Sequence, residues 1–305
     1  MRKLFLTLNS LFLAFGFFSQ APIGPGGVGS SVDLEVWLDA SKITASDGDL
    51  IALWSDNSGN NNDFSQSSLP LQPTFISNSL INSGPAVRFL NDFLQSGSIS
   101  SLNVSTISHI VVLNSINVGT QHISCFDYSS GASAGSDNLL RLYSTQSPSR
   151  YISHSRNSSG IQINSNSVFR TGSNIWSSIW NGSSSFGAYF NSSLNYFSSG
   201  ANSSPAGHNN IFLGSKNALN VDALDGDISE YIVFSKSLNN AERIIVENYL
   251  STKYLIALSS NDKFSHDLTH GNQLAGIGRE DASNQHLDCL LYTSPSPRDV
   301  EEYRM

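Results

Sequence analysis

The segment from Asp225 to Tyr254 is the part of this sequence that most constrains its fold. Residues 228–234 are mostly β-branched or aromatic, which is typical of a buried strand. Asn239 then stands three residues before Glu242, the spacing of a helix N-cap and its capping-box partner. Behind that cap, five apolar residues fall on one helical face: Ala241, Ile245, Val246, Tyr249 and Leu250. The segment predicts a strand followed by one amphipathic helix.

The rest of the chain predicts short strands joined by turns. Charged residues make up only 13% of the 305 residues, and polarity comes instead from Ser, Asn and Gly, which suit turns. The strand candidates are residues 34–38, 50–54, 86–89, 108–114, 122–128, 139–143, 175–180, 186–190 and 211–213. The serine-rich run 191–210 is predicted to form loops. This spacing, closed by a single short C-terminal helix, favours an all-β, antiparallel sandwich.

The N-terminus is predicted to lie outside the folded unit. A basic start, an apolar run to Phe18 and small residues before Pro22 indicate a signal peptide over residues 1–21. Residues 22–32 are rich in Gly and Pro and predict a flexible leader. A membrane anchor is the alternative, but the apolar run is short for a span. Because no other apolar stretch could cross a bilayer, a secreted or cell-surface location is expected.

The C-terminal part also changes in character. Residues 259–288 are predicted to be a linker and the truncated start of a second module, which would make this chain the N-terminal piece of a longer protein. Residues 289–305 are predicted to be an assembly artefact, because they begin with the conceptual translation of a transposase sequencing adapter. Without that tail, Cys125 is the single native cysteine. No internal disulfide is expected, so a packed core must hold the fold.

Several blocks of sequence, taken in order, carry a family resemblance. They are residues 36–40, 54–63, 85–89 and 225–256. Together they resemble the laminin-G-like, concanavalin A-like lectin/glucanase superfamily over residues 33–258, and in particular its modules in exported proteins of Bacteroidota. Residues 269–281 resemble the segment that follows such modules. The resemblance implies a jelly-roll sandwich of two curved sheets that contacts glycans or proteins, sometimes with a calcium ion.

One polar loop offers ligands for a cation. Asp56, Asn57, Asn60 and Asp63 supply the carboxylate and amide oxygens that calcium prefers, so the loop is a candidate Ca²⁺ site. The alternative is a turn in which these side chains bond the local backbone and Gly59 takes a positive φ. The spacing is not that of an EF-hand.

Aromatic residues offer a candidate ligand surface. Trp176 and Trp180 lie four apart, so on one strand they share a face, and with Tyr189 they could form a stacking platform for sugar rings. The alternative is core packing, because large aromatic side chains carry much of the buried area of a protein. Trp37 and Trp54 are expected in the core.

Motifs for catalysis are weak. Residues 131–135 match a nucleophile elbow, but a predicted strand follows where that motif needs a helix. His266 and His270 are four apart but lack the glutamate of a zincin. Glycosidases on a sandwich need paired carboxylates, and residues 225–230 come nearest but with the wrong order. The sequence therefore predicts a protein that is not an enzyme.

The sequence as a whole predicts an exported adhesion or glycan-recognition module. Its expected partner is a glycan or a cell-surface protein. A formal net charge of −8 and the lack of any Lys/Arg cluster argue against nucleic acid. Two alternatives stay open: a glycoside hydrolase or polysaccharide lyase of the same fold, and a structural spacer without a ligand.

Overall fold

The structure is a computed structural model. It describes residues 24–102, 104–116, 121–128, 140–143, 150–153, 163–168, 172–182, 184–199, 208–215, 218, 220, 222–264, 278–279 and 281–286. The predicted signal peptide, the elbow motif at 131–135, His266, His270 and the tail 289–305 lie outside the described residues. Within the described part of the chain, no helix is both long and apolar enough to span a membrane.

The described residues form eighteen strands and one α-helix. The strands are β1 Leu34–Asp39, β2 Leu53–Trp54, β3 Phe64–Ser65, β4 Thr74–Ile76, β5 Ala86–Leu90, β6 Leu94–Ser96, β7 Thr106–Ser115, β8 Gln121–Tyr128, β9 Leu140–Tyr143, β10 Arg150–Ser153, β11 Ile163–Val168, β12 Gly172–Asn181, β13 Ser185–Phe190, β14 Ser193–Ser199, β15 His208–Leu213, β16 Asp225–Phe234, β17 Gly278–Arg279 and β18 Gln285–His286. The helix α1 spans Asn240–Tyr254. Short 3-10 turns lie at Pro25–Gly27, Ala40–Lys42, Leu69–Leu71 and Ser100–Leu102.

The strands form two eight-stranded antiparallel sheets and one small hairpin. The first sheet has the order β14-β13-β12-β7-β16-β5-β4, and the second has β11-β10-β9-β8-β15-β6-β3-β2. In the first sheet, β7 pairs with one side of β16, while β5 and β1 share the other side. Strands β17 and β18 form the hairpin. The predicted all-β, antiparallel jelly-roll sandwich with one short C-terminal helix is confirmed.

Apolar side chains between the two sheets form the main core. Every second residue of a strand faces the partner sheet, so Val111 and Leu113 of β7 point inward while Ile110 and Val112 point outward. The largest buried side chains of this core include Trp54, Phe64, Phe89, Trp176, Phe186 and Tyr231. The prediction that Trp54 belongs to the core is confirmed, since its exposure is 1%.

Helix α1 covers the outer face of the first sheet and creates a second core. Asn239 accepts a hydrogen bond from the backbone N–H of Glu242, and the Glu242 carboxylate accepts one from the Asn239 N–H. The predicted capping box is confirmed. The apolar side of α1 packs on outward-facing residues of the sheet, including Ile110, Ile232 and Phe234. Trp37 lies here, half-buried against this outer core.

Residues 24–29, shortly before β1, belong to the fold. Pro25, Gly26 and Val28 are buried, and Val28 is part of the outer core beneath α1. Gly29 has a φ of +94°, and a Cβ there would lie 2.7 Å from a ring carbon of Phe234. The predicted flexible leader is therefore wrong for residues 24–29, because the small glycines let this segment approach the helix and the sheet closely.

Parts of the predicted loop 191–210 and of the predicted linker after residue 258 also pair with the sandwich. Within the predicted loop 191–210, Ser193–Ser199 forms β14 and pairs with β13 at the edge of the first sheet. After the helix, the backbone N–H of Ser259 donates to the carbonyl of Asn191 at 2.8 Å. The predicted linker is therefore wrong for residues 259–264, which hydrogen-bond to the sandwich and to α1.

Candidate functional site

The loop between Asp56 and Asp63 is closed by its own hydrogen bonds. The carboxylate of Asp56 accepts four of them: Oδ1 from the N–H groups of Trp37 and Ser58, and Oδ2 from the Ser58 hydroxyl and the Asn62 N–H. Asp63 Oδ1 accepts from the N–H of Asp56 at 2.8 Å. Gly59 has a φ of +92°. These contacts are those of the self-bonded turn that the sequence left open as the alternative.

Amide side chains of the same loop attach it to β1. The Nδ2 groups of Asn57, Asn60 and Asn62 donate to the carbonyls of Trp37, Leu34 and Glu35. The candidate calcium ligands Asp56, Asn57, Asn60 and Asp63 thus act as backbone partners. A calcium ion needs six or more oxygen ligands turned toward one point, and the Asp56 oxygens are already occupied by donors. The arrangement does not fit the predicted calcium site.

The candidate tryptophans lie in the core. Trp176 and Trp180 each have 2% exposure and lie in the main core between the sheets. Trp176 packs against Phe190 of the neighbouring strand β13, with ring centroids 4.5 Å apart. Ring stacking on a sugar needs an exposed face, so the prediction of a surface platform at these two residues is wrong. The alternative weighed in the sequence, core packing, is what the structure has.

Tyr189 lies on the opposite face of the first sheet from the two tryptophans. It is half-buried, and the guanidinium carbon of Arg243 lies 3.8 Å from the centroid of its ring. Arg243 comes from α1 and also forms an ion pair with Glu247. The ring of Tyr189 therefore supports the helix through a cation–π contact, which leaves little of this face for a ligand.

A cleft of about 580 Å³ opens at the rim of the sandwich, between β1 and β2. Its lining consists of the end of β1, the loop that follows, and β2: Asp39, Lys42, Ile43, Thr44, Ala45, Asp49, Leu50, Ile51, Ala52, Leu53, Trp54, Ser55 and Asn57. Ile43 and Ala45 pack against the main core and anchor the loop. The N–H of Ile51 donates to the carbonyl of Pro73, which fixes the other wall.

The lining of this cleft combines polar and apolar groups. Lys42, Thr44 and Asp49 are exposed and can donate to or accept from a ligand. Leu50 and Leu53 are 46% and 53% exposed and add aliphatic surface to the lining. The cleft can therefore offer hydrogen bonds and an aliphatic surface to the same molecule.

A cluster of buried charges lies beneath α1, close to the cleft. Lys253 Nζ lies 2.7 Å from Asp39 Oδ2 and 2.7 Å from Glu230 Oε2. Glu230 also accepts hydrogen bonds from Trp37 Nε1 at 2.7 Å and from the Tyr254 hydroxyl at 2.8 Å. Asp39 and Glu230 face each other across β1 and β16. The cluster joins the helix to two neighbouring strands.

Burial sets the ionisation of these groups. Desolvation raises the pKa of the Glu230 carboxyl, against the opposing attraction of Lys253. Burial alone would lower the pKa of Lys253, but the carboxylates of Glu230 and Asp39 and their contact with its ammonium raise it above the usual lysine value. Desolvation also raises the pKa values of Tyr249 and Tyr254. The lysine and both tyrosines therefore stay protonated in the folded protein well above neutral pH.

The carboxylates of β1 and β16 are engaged in ion pairs and hydrogen bonds. Asp227 binds Arg88 through two hydrogen bonds of 2.6 and 2.8 Å, whereas Glu230 binds Lys253. In the cleft itself, Asp39 accepts from Ser41 and from Lys253. Within the described part of the chain, no group of three or more His, Cys, Asp or Glu side chains could hold a metal ion.

No protein-family model matches this chain, and no curated protein matches it in sequence. Among solved structures it is similar to the binding domain of Paraclostridial Mosquitocidal Protein 1, with 12% identity, a TM-score of 0.51, and coverage of 72% of this chain and 53% of that one. A Trypanosoma rangeli sialidase in complex with 2,3-difluoro-KDN gives 12% identity, a TM-score of 0.49, and coverage of 76% and 35%. Domain 4 of AbnA, a GH43 extracellular arabinanase from Geobacillus stearothermophilus in complex with arabinotriose, gives 12% identity, a TM-score of 0.44, and coverage of 66% and 98%.

These likenesses concern the fold alone. This chain spans about half the length of the first of these structures and about a third of the second. At 12% identity the first likeness agrees with the antiparallel sandwich described above. The other two likenesses are too distant to support an argument. The class of the protein is thus an antiparallel β-sandwich with a polar and aliphatic cleft at its rim.

Sequence reasoning missed most residues of this cleft. Asn57 was a candidate, but as a calcium ligand. Lys42, Thr44 and Asp49 form no spacing pattern, and they meet Leu53 only because the loop after β1 folds back beside β2. The one usable signal was the pair Leu50 and Leu53, two leucines three apart beside a turn, where strict strand alternation fails.

Proposed function

We propose that this chain is an exported, non-catalytic, laminin-G-like module that binds a glycan in the rim cleft, and that it works outside the cell, secreted or at the cell surface. The observation that carries the proposal is the cleft of about 580 Å³ with its mixed lining. Sites for small ligands usually enclose roughly 300–1,000 Å³ and combine apolar walls with a few polar groups. Export rests on the predicted signal peptide over residues 1–21, and the laminin-G-like family rests on the sequence resemblance.

The shape of this cleft suits a glycan ligand better than it suits a protein partner. Protein partners usually cover about 800 Å² on each side with a broad contact patch. The cleft is instead a local concavity in which Lys42, Thr44 and Asp49 stand around an aliphatic wall. Sugars carry many hydroxyls that both donate and accept hydrogen bonds, and these three side chains include donors and acceptors.

The state of the acidic groups supports binding over hydrolysis. Glycosidases hold two carboxyl groups about 5–5.5 Å or about 6.5–9.5 Å apart on either side of the scissile bond. In this cleft, Asp39 is tied to Lys253 and Ser41, and Asp49 accepts from the N–H of Ser46 at 2.7 Å. Both carboxylates of the cleft are thus engaged with neighbouring donors of the chain itself.

A glycan array probed with the full chain tests the proposal, followed by titration of the best ligand. Lys42→Ala and Thr44→Ala should each weaken binding, the first by about tenfold if Lys42 makes a charge-assisted hydrogen bond. Lys263→Ala is the matched control, because this exposed lysine does not line the cleft. A calcium chelator should leave binding unchanged, since the loop 56–63 does not fit the ion.

Three outcomes would overturn the proposal. If no glycan binds with or without chelator, the chain is better described as a spacer. If the chain shortens a glycan that it binds, it is an enzyme. If Lys42→Ala and Lys263→Ala have equal effects, the glycan binds elsewhere on the molecule.

A further inference from the structure

The wall of the rim cleft is aliphatic and exposed. Leu50 and Leu53 leave about half of their surfaces open, at 46% and 53%. Their neighbours Ile51 and Trp54 point into the main core, with 5% and 1% exposure. The chain bends at Ala52, so two consecutive residues, Ala52 and Leu53, are both exposed where a regular strand would bury one of them. The bend at Ala52 is therefore the local feature that leaves aliphatic side chains exposed on this wall of the cleft.

The cleft offers no aromatic ring for stacking. Among the described residues that line it, Trp54 is the only aromatic one, and its side chain is closed off in the core. A sugar that binds through the flat apolar face of its ring commonly uses an exposed aromatic plane. Here the apolar contact has to be made with branched aliphatic side chains, which fit a small and rounded apolar group such as a methyl.

The polar groups lie beside this wall. Lys42 and Thr44 come from the loop after β1, and Asp49 directly precedes Leu50. Because these three residues line the same cleft as Leu50 and Leu53, a ligand that places a methyl group on the leucines has donors and acceptors around it. A ligand with hydroxyls next to a methyl group can therefore contact the polar side chains and the aliphatic wall at the same time.

We propose that the cleft selects sugars that carry a methyl group. This inference rests on the proposed glycan binding and narrows the class of glycan that the cleft binds. The shared chemistry is a methyl substituent beside hydroxyls, and it can come from a 6-deoxy sugar or from an N-acetylated sugar. The methyl packs on Leu50 and Leu53, and the neighbouring hydroxyls bond Asp49 and Lys42.

Two matched pairs of free sugars test this selection with the full chain, by titration calorimetry. The first pair is L-fucose against L-galactose, and the second is N-acetylglucosamine against glucose. Removing a methyl-sized group from water is worth roughly 0.8 kcal/mol, which corresponds to about fourfold in affinity. The methyl-bearing member of at least one pair should therefore bind about fourfold tighter or more, and the pair that responds identifies the source of the methyl group.

Leu53→Ser should reduce that preference to less than about twofold, because it removes the wall and leaves Lys42 and Asp49 in place. Leu194→Ser is the matched control: Leu194 is 55% exposed and lies on β14, an edge strand at the far side of the first sheet. Replacing an exposed leucine changes stability little, so both variants should fold.

The outcomes separate this inference from the proposed function. If the array finds a ligand but both members of each pair bind equally, or neither binds, the methyl selection is wrong and glycan binding stands. If Leu53→Ser and Leu194→Ser show the same preference for the methyl-bearing sugar, the aliphatic wall does not recognise the methyl group. If the array finds no glycan at all, the proposed function and this inference fail together.

Discussion

At the scale of single residues, buried charges connect α1 to the first sheet. Lys253 contacts both Asp39 and Glu230, and its side chain is only 11% exposed. Leaving any one buried charge without its partners is costly, so each member of the cluster depends on the others. Trp37 and Tyr254 donate to Glu230 and complete its hydrogen bonding. The cluster therefore fixes the position of the helix more than it adds net stability.

Removing the cation of this cluster should be strongly destabilising. Lys253→Met keeps the aliphatic stem but leaves the carboxylates of Asp39 and Glu230 beside each other. Breaking a buried pair in this way usually costs about 3–5 kcal/mol. Urea unfolding followed by tryptophan fluorescence measures the loss, with Lys263→Met as an exposed control expected within about 0.5 kcal/mol of the parent. Equal stability of the two variants would contradict the assigned role of the cluster.

The raised pKa values predict a loss of stability in alkali. Burial raises the pKa of Tyr231, Tyr249 and Tyr254, and the neighbouring carboxylates raise the pKa of Lys253. In the unfolded chain these groups release protons near pH 10, at about their ordinary values. Their contribution is therefore complete below pH 10 and is lost as the pH rises toward the folded-state pKa values.

The slope of this loss is measurable. Each proton released on unfolding lowers the free energy of unfolding by about 1.4 kcal/mol per pH unit. Urea midpoints between pH 9 and pH 11.5 should fall with a steepening slope, and tyrosinate absorbance should rise together with unfolding. A folded protein whose tyrosines all ionise gradually near pH 10 would be inconsistent with the burial described here.

The sequence predicted single residues only where a local pattern exists. Asn239 and Glu242 are three residues apart, so their capping box was visible in the sequence. Lys253 and Asp39 are separated by 214 positions, so no local sequence pattern indicates their ion pair. The role of Trp176 was left open because a strand pattern gives a shared face but does not say which face is covered.

At the scale of elements, apolar content decided which strands could be predicted. Strands such as β7 and β16 each contain a continuous apolar run, residues 110–113 and 231–234, and stand out from the sequence. Strand β14 was predicted as a loop because Ser193–Ser199 is half serine and asparagine. It forms as an edge strand, where polar side chains are half exposed and the pairing with β13 supplies the backbone hydrogen bonds.

The N-terminal segment yields a test at the same scale. Gly29→Ala should destabilise the protein in two ways: the φ of +94° is unfavourable for alanine, and the new Cβ would meet the ring of Phe234 at 2.7 Å. Gly48→Ala is the matched control, with a φ of +88° and no atom within 4 Å of the new Cβ. The control should cost about 1 kcal/mol, and Gly29→Ala roughly 1–3 kcal/mol more.

Urea midpoints of the two glycine variants measure this difference. Because the backbone strain is common to both, their difference reports the contact with Phe234. Equal losses in the two variants would mean that the segment before β1 is not packed on the sheet, which would restore the predicted flexible leader.

At the scale of the whole molecule, the fold depends on contacts between distant parts of the chain. The last strand of the sandwich, β16, lies inside the first sheet and pairs with β1, β5 and β7. The sequence predicted the class of this fold, because class follows from strand periodicity and from one helix. The order of the strands and the cleft between β1 and β2 follow from pairings across many residues, which periodicity does not encode.

The boundary of the folded unit gives the last prediction. Residues 259–264 were predicted as a linker, yet the side chain of Asn248, buried in α1, donates to the carbonyl of Asn261 at 2.9 Å and accepts from the N–H of Lys263 at 2.7 Å. A chain that stops after Leu258 loses both bonds and should be less stable by roughly 1–3 kcal/mol. A chain that stops after Asp288 keeps them and should match the full chain in its urea midpoint. If the chain that stops after Leu258 has an unchanged urea midpoint, the linker prediction was right and the sandwich ends at residue 258. If the chain that stops after Asp288 has a lower urea midpoint, residues 289–305 contribute to the fold and are not an artefact.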